Sequence, residues 1–525
     1  MGMHYIVRKA LQQSVLHPSL SLVSLSLALR LASSLLLLLL SLFLPTFPTD
    51  ATQLSIPLSP YLHPFVRWDA VHFVHVALYG YAREEKTAAF GPGLTTGVMR
   101  AGGEAIAWLK GAEKVTADEV VLAGMLGTTV ATTLASLFLY RLTQTLFSSS
   151  PRSFPLLTST LFLLAPSRPT LHAAPYTEPF AALFTFAGMY FFSVAPLSST
   201  DKRGRRKRLE RTCGELAAAA CWAAGSAFRA QGALLGLGFF GWRYILQHLF
   251  TLPIREQKLL TSLAPFLLLS TLSALPFLLF QRSIYHLYCS PSPTTASFAF
   301  DPVWDLHSLP RPRPWCDQGL GFSYGWIQRE YWNIRPFAYW TPLQLPNFLL
   351  AAPVLALSFS ASYTFYHSNS HIVLSSTLPF FFRPDAHTPS TSPTSRNPPT
   401  SLRPFSHPHP HHHPLSLPPL VPYVHLSTAL SLLLLTTAHV QIALRVCVVD
   451  PVVWWRAAEI VLPLVHGGLE GEGGEGEGEG KGKEEGKEGK EGKEDRAKWG
   501  RWWVRYSIWW GTLSLVLWAA WLPPA

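Results

Sequence analysis

The first long apolar segment, Ser19 to Leu44, constrains the fold more than any other part of the sequence. It reads SLSLVSLSLALRLASSLLLLLLSLFL and contains a single charged residue, Arg30. About 20 apolar residues are needed to cross the hydrocarbon core of a bilayer, so the segment is long enough to span it. We interpret it as a signal anchor. A cleaved signal peptide is the alternative, although the apolar core is long for one and no small-residue cleavage site follows.

The rest of the chain has the composition of a membrane protein. Of its 525 residues, 48% are hydrophobic and only 14% are charged, and the mean hydropathy is +0.20. Apolar stretches recur near residues 19–45, 118–147, 155–166, 179–196, 214–227, 232–250, 259–281, 346–366, 421–446 and 502–521. Two of them are too short to cross a bilayer alone. The pattern predicts an all-α polytopic membrane protein.

The basic residues indicate how the chain is oriented in the membrane. The net charge is +11, and Lys and Arg concentrate between apolar stretches, most clearly in DKRGRRKRLER at 201–211. The positive-inside rule places this segment in the cytosol, so the charge does not indicate nucleic-acid binding. With a cytosolic N terminus, residues 281–345 are luminal, and Arg229 is luminal if 214–250 forms a helical hairpin. One long tilted helix over 214–250 is the alternative.

The cysteines are compatible with that orientation. The chain has five, at positions 213, 221, 289, 316 and 447. Cys289 and Cys316 both fall in the predicted luminal region, where oxidising conditions permit a disulfide. Two unpaired luminal thiols are the alternative, because five cysteines do not define a pairing.

Composition also divides the chain into regions. A membrane-embedded core covers 1–367, with luminal loops at 46–117 and 282–345. It is followed by a Pro/Ser/His-rich linker (368–420), a C-terminal transmembrane region (421–466), a Gly/Glu/Lys-rich insert (467–498) and a last transmembrane helix (499–525). Prolines in the His-rich tip of the linker prevent regular ligand spacing, so we predict a solvated loop and no metal site. We interpret the insert as flexible.

Polar and aromatic residues gather at the predicted luminal ends of the apolar stretches. The sequence contains none of the nucleotide-binding loops, HExxH motifs or GxSxG motifs of familiar soluble enzymes. The candidates are Arg67, Trp68, Asp69, His72, His75, Glu84, Glu85, Tyr176, Glu178, Arg229 and Gln231. Each one alone is compatible with an interfacial role. Together they suit a site that holds a sugar and an anionic lipid phosphate at the membrane surface.

Several motifs resemble the PIG-V family of GPI mannosyltransferases. They are FVRWDAVHF (65–73), the GY…E…AFGPG pattern (80–93), YTEPFAALFTFAGM (176–189), PFLLFQ (276–281), RPWC (313–316), YGWIQREYWNI…QLPNFLLAAP (324–353) and HVQIALRV (439–446). The resemblance runs from about residue 20 to the end and leaves out the His-rich linker and the Gly/Glu/Lys insert. Gly91, Ala230 and Gln231 depart from the family pattern.

This resemblance implies a multi-pass enzyme of the endoplasmic reticulum, of the GT-C type, whose site is formed by luminal loops. Such an enzyme transfers the second, α-1,6-linked mannose from dolichyl-phosphate-mannose to a mannosylated GPI lipid. Its partners are then the donor, the acceptor and the lipid bilayer, with no nucleic acid and no cofactor. A small membrane subunit is a further expected partner, and metal dependence stays open.

The resemblance also places the essential carboxylate in the first luminal loop, and we predict that Asp69 is the catalytic base. Inverting transfer from a mannosyl phosphate needs one carboxylate to take the acceptor proton, because the phosphate already leaves readily. We predict substrate-binding roles for Arg67, Trp68, His72, Glu84, Glu85, Tyr176, Glu178, Arg229 and Gln231, with the arginines meeting phosphate. For Asp69 the alternative is an interfacial helix cap. For the chain, the alternatives are a lipid or solute transporter and a non-catalytic subunit of a GPI-synthesis complex.

Overall fold

The fold is helical throughout the part of the chain that the structure describes. The computed structural model describes residues 14–47, 56–195, 204–247, 259–289, 313–317, 323–370, 373, 415, 417–470 and 485–522. These ranges contain helices and connecting turns and no β-strand. The predicted all-α class is confirmed.

The helices follow the apolar stretches of the sequence closely. They are α1 (Pro18–Phe43), α2 (Asp69–Tyr79), α3 (Ala101–Leu109), α4 (Ala117–Leu146), α5 (Ser153–Leu163), α6 (Glu178–Val194), α7 (Gly204–Phe228), α8 (Gln231–Gly241), α9 (Leu259–Cys289), α10 (Ser323–Glu330), α11 (Leu345–Ser368), α12 (Val421–Thr436), α13 (Ala443–Val446), α14 (Pro451–Glu470) and α15 (Glu485–Ala519). Short 3-10 and π turns connect several of them. The first predicted luminal loop, 46–117, therefore contains two helices, α2 and α3.

Long apolar helices make this a multi-pass membrane protein. Within the described ranges, five helical segments are long and apolar enough to cross a bilayer: Pro18–Phe43, Ala117–Leu146, Ser262–Cys289, Pro342–Ser368 and Pro418–Thr436. Shorter apolar helices occur at Ser153–Leu163, Glu178–Val194 and Val440–Val449. The short helices α5 and α6 both pack against the long helix α4.

Small residues allow the helices to approach one another closely. A Cβ atom at Gly188 of α6 would lie 2.3 Å from Nε1 of Trp222 on α7, and one at Gly236 of α8 would lie 2.4 Å from Cβ of Ser273 on α9. Glycine at such contacts lets helix backbones pack tightly in a membrane, where dispersion contacts rather than water exclusion hold helices together. Trp222 is fully buried in the main apolar core.

The chain reverses direction between α7 and α8. A Cβ atom at Gly232 would lie 2.3 Å from the Ser226 nitrogen and 2.7 Å from the Trp222 carbonyl oxygen. In a continuous helix, residues 222 and 232 would be about 15 Å apart along the axis, so this contact requires a tight turn. The hairpin interpretation of 214–250 is therefore correct, and Arg229 lies at its tip.

The stretch 421–446 is not one continuous span, in contrast to the sequence-based expectation. Helix α12 ends at Thr436, and residues 437–450 continue as turns and short helical segments, including α13, before α14 begins. The sequence TTAHVQ at 436–441 interrupts the apolar run with polar groups. These polar residues compete for backbone hydrogen bonds and disfavour a continuous helix. The interruption positions Arg445, as described below.

The Gly/Glu/Lys-rich insert is more helical than expected. Residues 467–470 end α14, and residues 485–498 form the beginning of α15. Glu, Lys, Arg and Ala are good helix formers, which explains why this polar sequence extends a helix despite its glycines. The remaining insert residues, 471–484, and nearly all of the 368–420 linker, including its His-rich tip, lie outside the described residues.

Candidate active site

Asp69 is the first residue of α2, and its neighbours fix its position. The preceding residue, Trp68, has φ 54° and ψ −129°, a left-handed conformation that is strained for a bulky side chain. The backbone N–H of Asp69 donates to the Tyr176 hydroxyl at 3.0 Å. A carboxylate in the first turn also interacts favourably with the helix dipole. Strain of this kind persists where the surrounding structure imposes it, often at functional sites.

Arg445 joins Asp69 to Glu178. Its Nη2 donates to Asp69 Oδ2 and its Nε donates to Glu178 Oε1, each at 2.8 Å. Its guanidinium carbon lies 4.9 Å from the centre of the Tyr176 ring. Glu178 is fully buried, whereas the Asp69 side chain is 24% exposed. Arg445 therefore neutralises a buried carboxylate and holds a more accessible one beside it.

Arg229 completes this group of residues. Its Nη1 lies 3.5 Å from Glu178 Oε1 and has no hydrogen-bond partner among the described residues, and its side chain is 23% exposed. We call Asp69, Tyr176, Glu178, Arg229 and Arg445 the Glu178 cluster. Four of its five members were predicted as site residues from the sequence.

The Glu178 cluster contains two groups that have capacity left for a ligand. The Arg229 guanidinium can still donate hydrogen bonds, which suits a phosphate oxygen. The Asp69 carboxylate accepts a hydrogen bond from Arg445 and is partly exposed, which suits acceptance of a proton. The buried Tyr176 phenol keeps its proton, because burial and the nearby Asp69 carboxylate raise its pKa.

Arg67 and Trp68 face a different neighbour from Asp69. The Arg67 guanidinium lies 4.8 Å from the Trp521 ring centre, and the Trp68 and Trp521 rings are 6.4 Å apart. Burial lowers the pKa of Arg67 to about 10, and its Nε has no hydrogen-bond partner among the described residues. The sequence analysis assigned Asp69 the role of base and Arg67 and Trp68 roles in substrate binding. In the structure Arg67 and Trp68 contact Trp521, just beyond the end of α15, whereas Asp69 contacts Arg445.

His72 and Glu84 form a separate pair on the other side of Asp69. His72 Nδ1 and Lys86 Nζ each lie 3.6 Å from Glu84 Oε2. The His72 imidazole, and after it the Lys86 charge, lower the pKa of Glu84. Burial lowers the pKa of the neighbouring His75. The His72 ring also contacts the rings of Phe90 and Trp332.

Glu85 is held by structural contacts. Its Oε1 accepts from Trp315 Nε1 at 2.5 Å, and its Oε2 accepts from the Tyr331 hydroxyl at 2.9 Å. The Arg313 Nε lies 3.7 Å from the same carboxylate, and the Glu85 side chain is only 5% exposed. Burial and the Glu85 contact raise the pKa of Tyr331 to about 12. These contacts indicate that Glu85 joins two loops. They give less support to its predicted role in substrate binding.

A disulfide reinforces the same region. Cys289, at the end of α9, is bonded to Cys316, and their Cα atoms are 5.5 Å apart. The structure thus decides between the two readings of these cysteines in favour of pairing. Cys213, Cys221 and Cys447 are free thiols.

Gln231 approaches the Glu178 cluster at Arg229. It lines a small cavity with Arg229, Trp222 and Thr185, between α6, α7 and α8. Nothing in the described contacts links Gln231 to Asp69. Its predicted role in substrate binding therefore has less geometric support than that of Arg229.

One departure from the family pattern has a structural explanation. A Cβ atom at Gly91 would lie 2.1 Å from the Ala227 carbonyl oxygen at the end of α7. No side chain fits at this distance, so the AAFGPG loop packs directly on the backbone next to Arg229. Glycine at 91 allows the first loop to reach the hairpin tip.

Arg445 is the member of the Glu178 cluster that the sequence-based reasoning missed. It lies 376 positions from Asp69 in the chain, inside a stretch interpreted as a membrane span. A charge within an apolar segment is costly and usually functional, so Arg445 could have been found by the argument applied to Arg229. Among the described residues, no group of three or more His, Cys, Asp or Glu residues could hold a metal ion.

Comparisons with known proteins give a consistent result. The family model described as mannosyltransferase (PIG-V) matches residues 20–525. GPI mannosyltransferase 2 of Cryptococcus neoformans var. neoformans serotype D (strain JEC21) is 33% identical over 493 residues, which cover 93% of this chain and 94% of the relative. GPI alpha-1,6-mannosyltransferase 2 of Cricetulus griseus is 30% identical over 409 residues, which cover 75% of this chain and 72% of the relative.

Solved structures offer a weaker likeness. A chain in the structure of the S. cerevisiae protein O-mannosyltransferase Pmt1-Pmt2 complex is 17% identical and matches with a TM-score of 0.29. The match covers 49% of this chain and 34% of that chain. At this TM-score the likeness carries no argument about fold or site.

Proposed function

Because this chain belongs to the PIG-V mannosyltransferase family, we propose that it adds the second, α-1,6-linked mannose to a GPI-anchor precursor in the lumen of the endoplasmic reticulum. The donor in this proposal is dolichyl-phosphate-mannose and the acceptor is the first mannose of the GPI lipid. The family match supports an enzyme over the transporter and the non-catalytic subunit. A small membrane subunit stays a prediction.

The observation that carries the chemistry is the arrangement of Asp69, Arg445 and Glu178. Asp69 is partly exposed, and Arg445 Nη2 donates to its carboxylate at 2.8 Å. In the proposed step Asp69 accepts the proton of the acceptor hydroxyl, while that oxygen bonds to the anomeric carbon of the donor mannose. The bond from that carbon to the phosphate oxygen breaks, and dolichyl phosphate leaves with the bonding electrons. A single displacement turns the β-linked donor into an α-linked product.

The arginines supply the second requirement, stabilisation of the leaving phosphate. Arg229 has an unpaired N–H at the edge of the Glu178 cluster, and Arg67 is buried with no ion pair among the described residues. A guanidinium matches the oxygens of a phosphate and retains its charge when buried. Arg67 lies two positions before Asp69 in the chain, and Arg229 lies 3.5 Å from Glu178. In this proposal one or both of them meet the charge that develops on the leaving group.

A luminal location for this site is supported by two independent features. The Cys289–Cys316 disulfide follows α9, and disulfides persist in oxidising compartments such as the lumen. The basic residues 205–208 lie in the first turns of α7, whereas Arg229 follows its last residue, so the segment predicted to be cytosolic and the Glu178 cluster lie at opposite ends of one helix.

Lipid analysis in cells tests the proposal directly. Cells lacking this chain should accumulate a GPI intermediate that carries one mannose, and the wild-type chain should clear it. The Asp69→Asn variant should leave it in place at normal protein abundance. Glu104→Gln is a matched control, because Glu104 is an exposed carboxylate of the same loop and its ion-pair partner is Arg100. Accumulation of a different intermediate, or none, would refute the proposed acceptor.

A further inference from the structure

Three rings beside Asp69 form a cluster that the proposed mechanism does not use. The His72 and Phe90 rings stack with their centres 6.0 Å apart, and the Trp332 ring meets them at 6.2 and 5.9 Å. We call His72, Phe90 and Trp332 the ring cluster. His72 lies three residues after Asp69 on α2, so both side chains project from one face of the helix, with Cβ atoms about 5–6 Å apart. The ring cluster is therefore next to the proposed base.

The ring cluster carries polar groups with unused capacity. Trp332 Nε1 is buried and has no hydrogen-bond acceptor among the described residues. Glu84 Oε2 lies 3.6 Å from His72 Nδ1, which is too long for a good hydrogen bond. Buried polar groups nearly always have partners, so the Trp332 indole N–H and the Glu84 carboxylate, which lie on either side of His72, both retain capacity to bind a ligand.

The chemistry of these groups suits a sugar. Hydroxyl groups both donate and accept, so one sugar ring can satisfy the Trp332 donor and the Glu84 acceptor together. The C–H faces of a sugar ring are apolar and pack against aromatic surfaces, which bring large contact areas at low cost in side-chain entropy. A phosphate would be repelled by Glu84, so the ring cluster does not suit the charged part of the donor.

The position of the ring cluster distinguishes the acceptor from the donor. Arg67 precedes Asp69 and packs on Trp521, whereas His72 follows Asp69 and packs on Trp332. In an inverting displacement, the attacking hydroxyl and the leaving group lie on opposite faces of the reacting carbon. With the phosphate on the Arg67 side, the attacking sugar belongs on the His72 side.

Trp332 is also tied to the segment that carries Arg445. The Trp332 carbonyl oxygen accepts from His439 Nε2 at 2.7 Å, and the His439 ring stacks on Tyr339 at 4.7 Å. His439 lies six residues before Arg445 in the chain. One short segment thus positions both the arginine that holds the base and the tryptophan of the ring cluster.

From these contacts we propose that the ring cluster and Glu84 bind the mannose of the acceptor that receives the new linkage. This proposal rests on the mannosyl transfer proposed above and assigns one subsite within it. Trp332 Nε1 and Glu84 hold hydroxyl groups of that mannose, and the rings pack against its face. The attacking hydroxyl then points toward Asp69.

Steady-state kinetics of the full-length chain, purified in detergent, test the subsite. The probes are dolichyl-phosphate-mannose and a GPI lipid with one mannose, each varied at a saturating level of the other. Trp332→Phe keeps a ring and removes the N–H donor, so KM for the acceptor should rise about three- to tenfold, the effect of one hydrogen bond. KM for the donor should stay unchanged. Glu84→Gln should show the same pattern.

A second tryptophan of the same loop provides the control. Trp340 is half-exposed, and its Nε1 donates to the Leu435 carbonyl oxygen at 2.7 Å. Trp340→Phe should alter neither KM. A wild-type chain that transfers no mannose to this acceptor would defeat the proposed function. Transfer by the wild type with an unchanged acceptor KM in both Trp332→Phe and Glu84→Gln, or a rise in donor KM instead, would defeat the subsite alone.

Discussion

Two buried clusters of similar composition lie at different levels of α7. The Glu178 cluster contains a glutamate, two arginines and a tyrosine, with Asp69 in addition. The second cluster, which we call the Glu215 cluster, contains Arg211, Glu215, Arg243 and Tyr244. Glu215 precedes Arg229 by 14 residues, about 21 Å along a helix. Residue types alone do not separate the two clusters.

The hydrogen bonds do separate them. Glu215 Oε1 accepts from Arg211 Nε and Arg243 Nη1, both at 3.0 Å, and its Oε2 accepts from the Tyr244 hydroxyl at 2.5 Å. Arg243 also donates to the Phe192 carbonyl oxygen at 2.9 Å and covers the Phe192 ring at 3.6 Å. Glu215 and Arg243 are each about 5% exposed or less. The carboxylate of this cluster has both oxygens occupied by protein.

The Glu178 cluster retains groups that can still bind a ligand. Asp69 is 24% exposed, and an N–H of Arg229 is unpaired among the described residues. Both oxygens of the enclosed Glu215 carboxylate are bonded by protein, so this cluster fixes helices in place, whereas the partly exposed Asp69 carboxylate can still bind and react. The comparison teaches that an accessible carboxylate, more than charge content, distinguishes the candidate site in this chain.

The largest effect is expected from replacing Asp69, the partly exposed carboxylate of the Glu178 cluster. Asp69→Asn keeps the shape and removes the proton acceptor, so kcat should fall about 10²–10⁴-fold. The fall should appear in purified enzyme with unchanged thermal stability, because Asp69 is partly exposed. A variant with wild-type kcat would remove Asp69 from the mechanism and would shift attention to Glu178 or Glu84.

The Glu215 cluster should respond in the opposite manner. Glu215→Gln leaves Arg243 buried without its counter-charge, which should destabilise the chain by about 3–5 kcal/mol. Thermal unfolding in detergent measures this loss, and kcat per folded molecule should be unchanged. The exposed pair Arg100–Glu104 is the control, since Glu104→Gln should cost less than about 1 kcal/mol. A large loss of kcat without destabilisation would contradict the structural role of the Glu215 cluster.

Local sequence patterns predicted most of the helices and part of the site. Apolar length predicted α1, α4, α9 and α11 within a few residues, except that α9 continues to Cys289. The position of charges at the ends of apolar stretches identified Asp69, Glu178 and Arg229. Both signals are local, since each depends on a residue and its neighbours in the chain.

The remaining features depend on contacts between distant segments. Arg445 reaches Asp69 only because the chain breaks after α12, and Glu85 is occupied by Trp315 and Tyr331, more than 200 positions away. A local pattern assigns Glu84 and Glu85 the same role. Only the fold shows that Glu85 is enclosed in protein contacts, whereas Glu84 faces the ring cluster.

Substitutions of Arg445 sharpen the comparison of the two clusters, because they separate the effect of its side-chain geometry from that of its charge. Lysine keeps the charge but cannot contact two carboxylates as a guanidinium does. Loss of one charge-assisted hydrogen bond should lower kcat about 10–100-fold in Arg445→Lys, and Arg445→Gln should lower it further. Arg456→Lys is the control, as Arg456 pairs with Glu459 at 2.8 Å outside both clusters. Equal activity of the Lys and Gln variants would show that Arg445 does not position Asp69 through its charge.

The smallest effect is expected from a segment that contributes no residue to either cluster. Residues 471–484 read GEGGEGEGEGKGKE and offer no apolar side chain to bury. Replacing them by a short Gly-Ser linker retains a connection between α14 and α15, and the closure entropy of a connection changes only slightly with its length. Stability should therefore stay within about 0.5 kcal/mol of wild type, and kcat should be unchanged. Loss of activity at normal abundance and normal melting temperature would mean that residues 471–484 act in the reaction. The activity could then not be attributed to the Glu178 cluster alone.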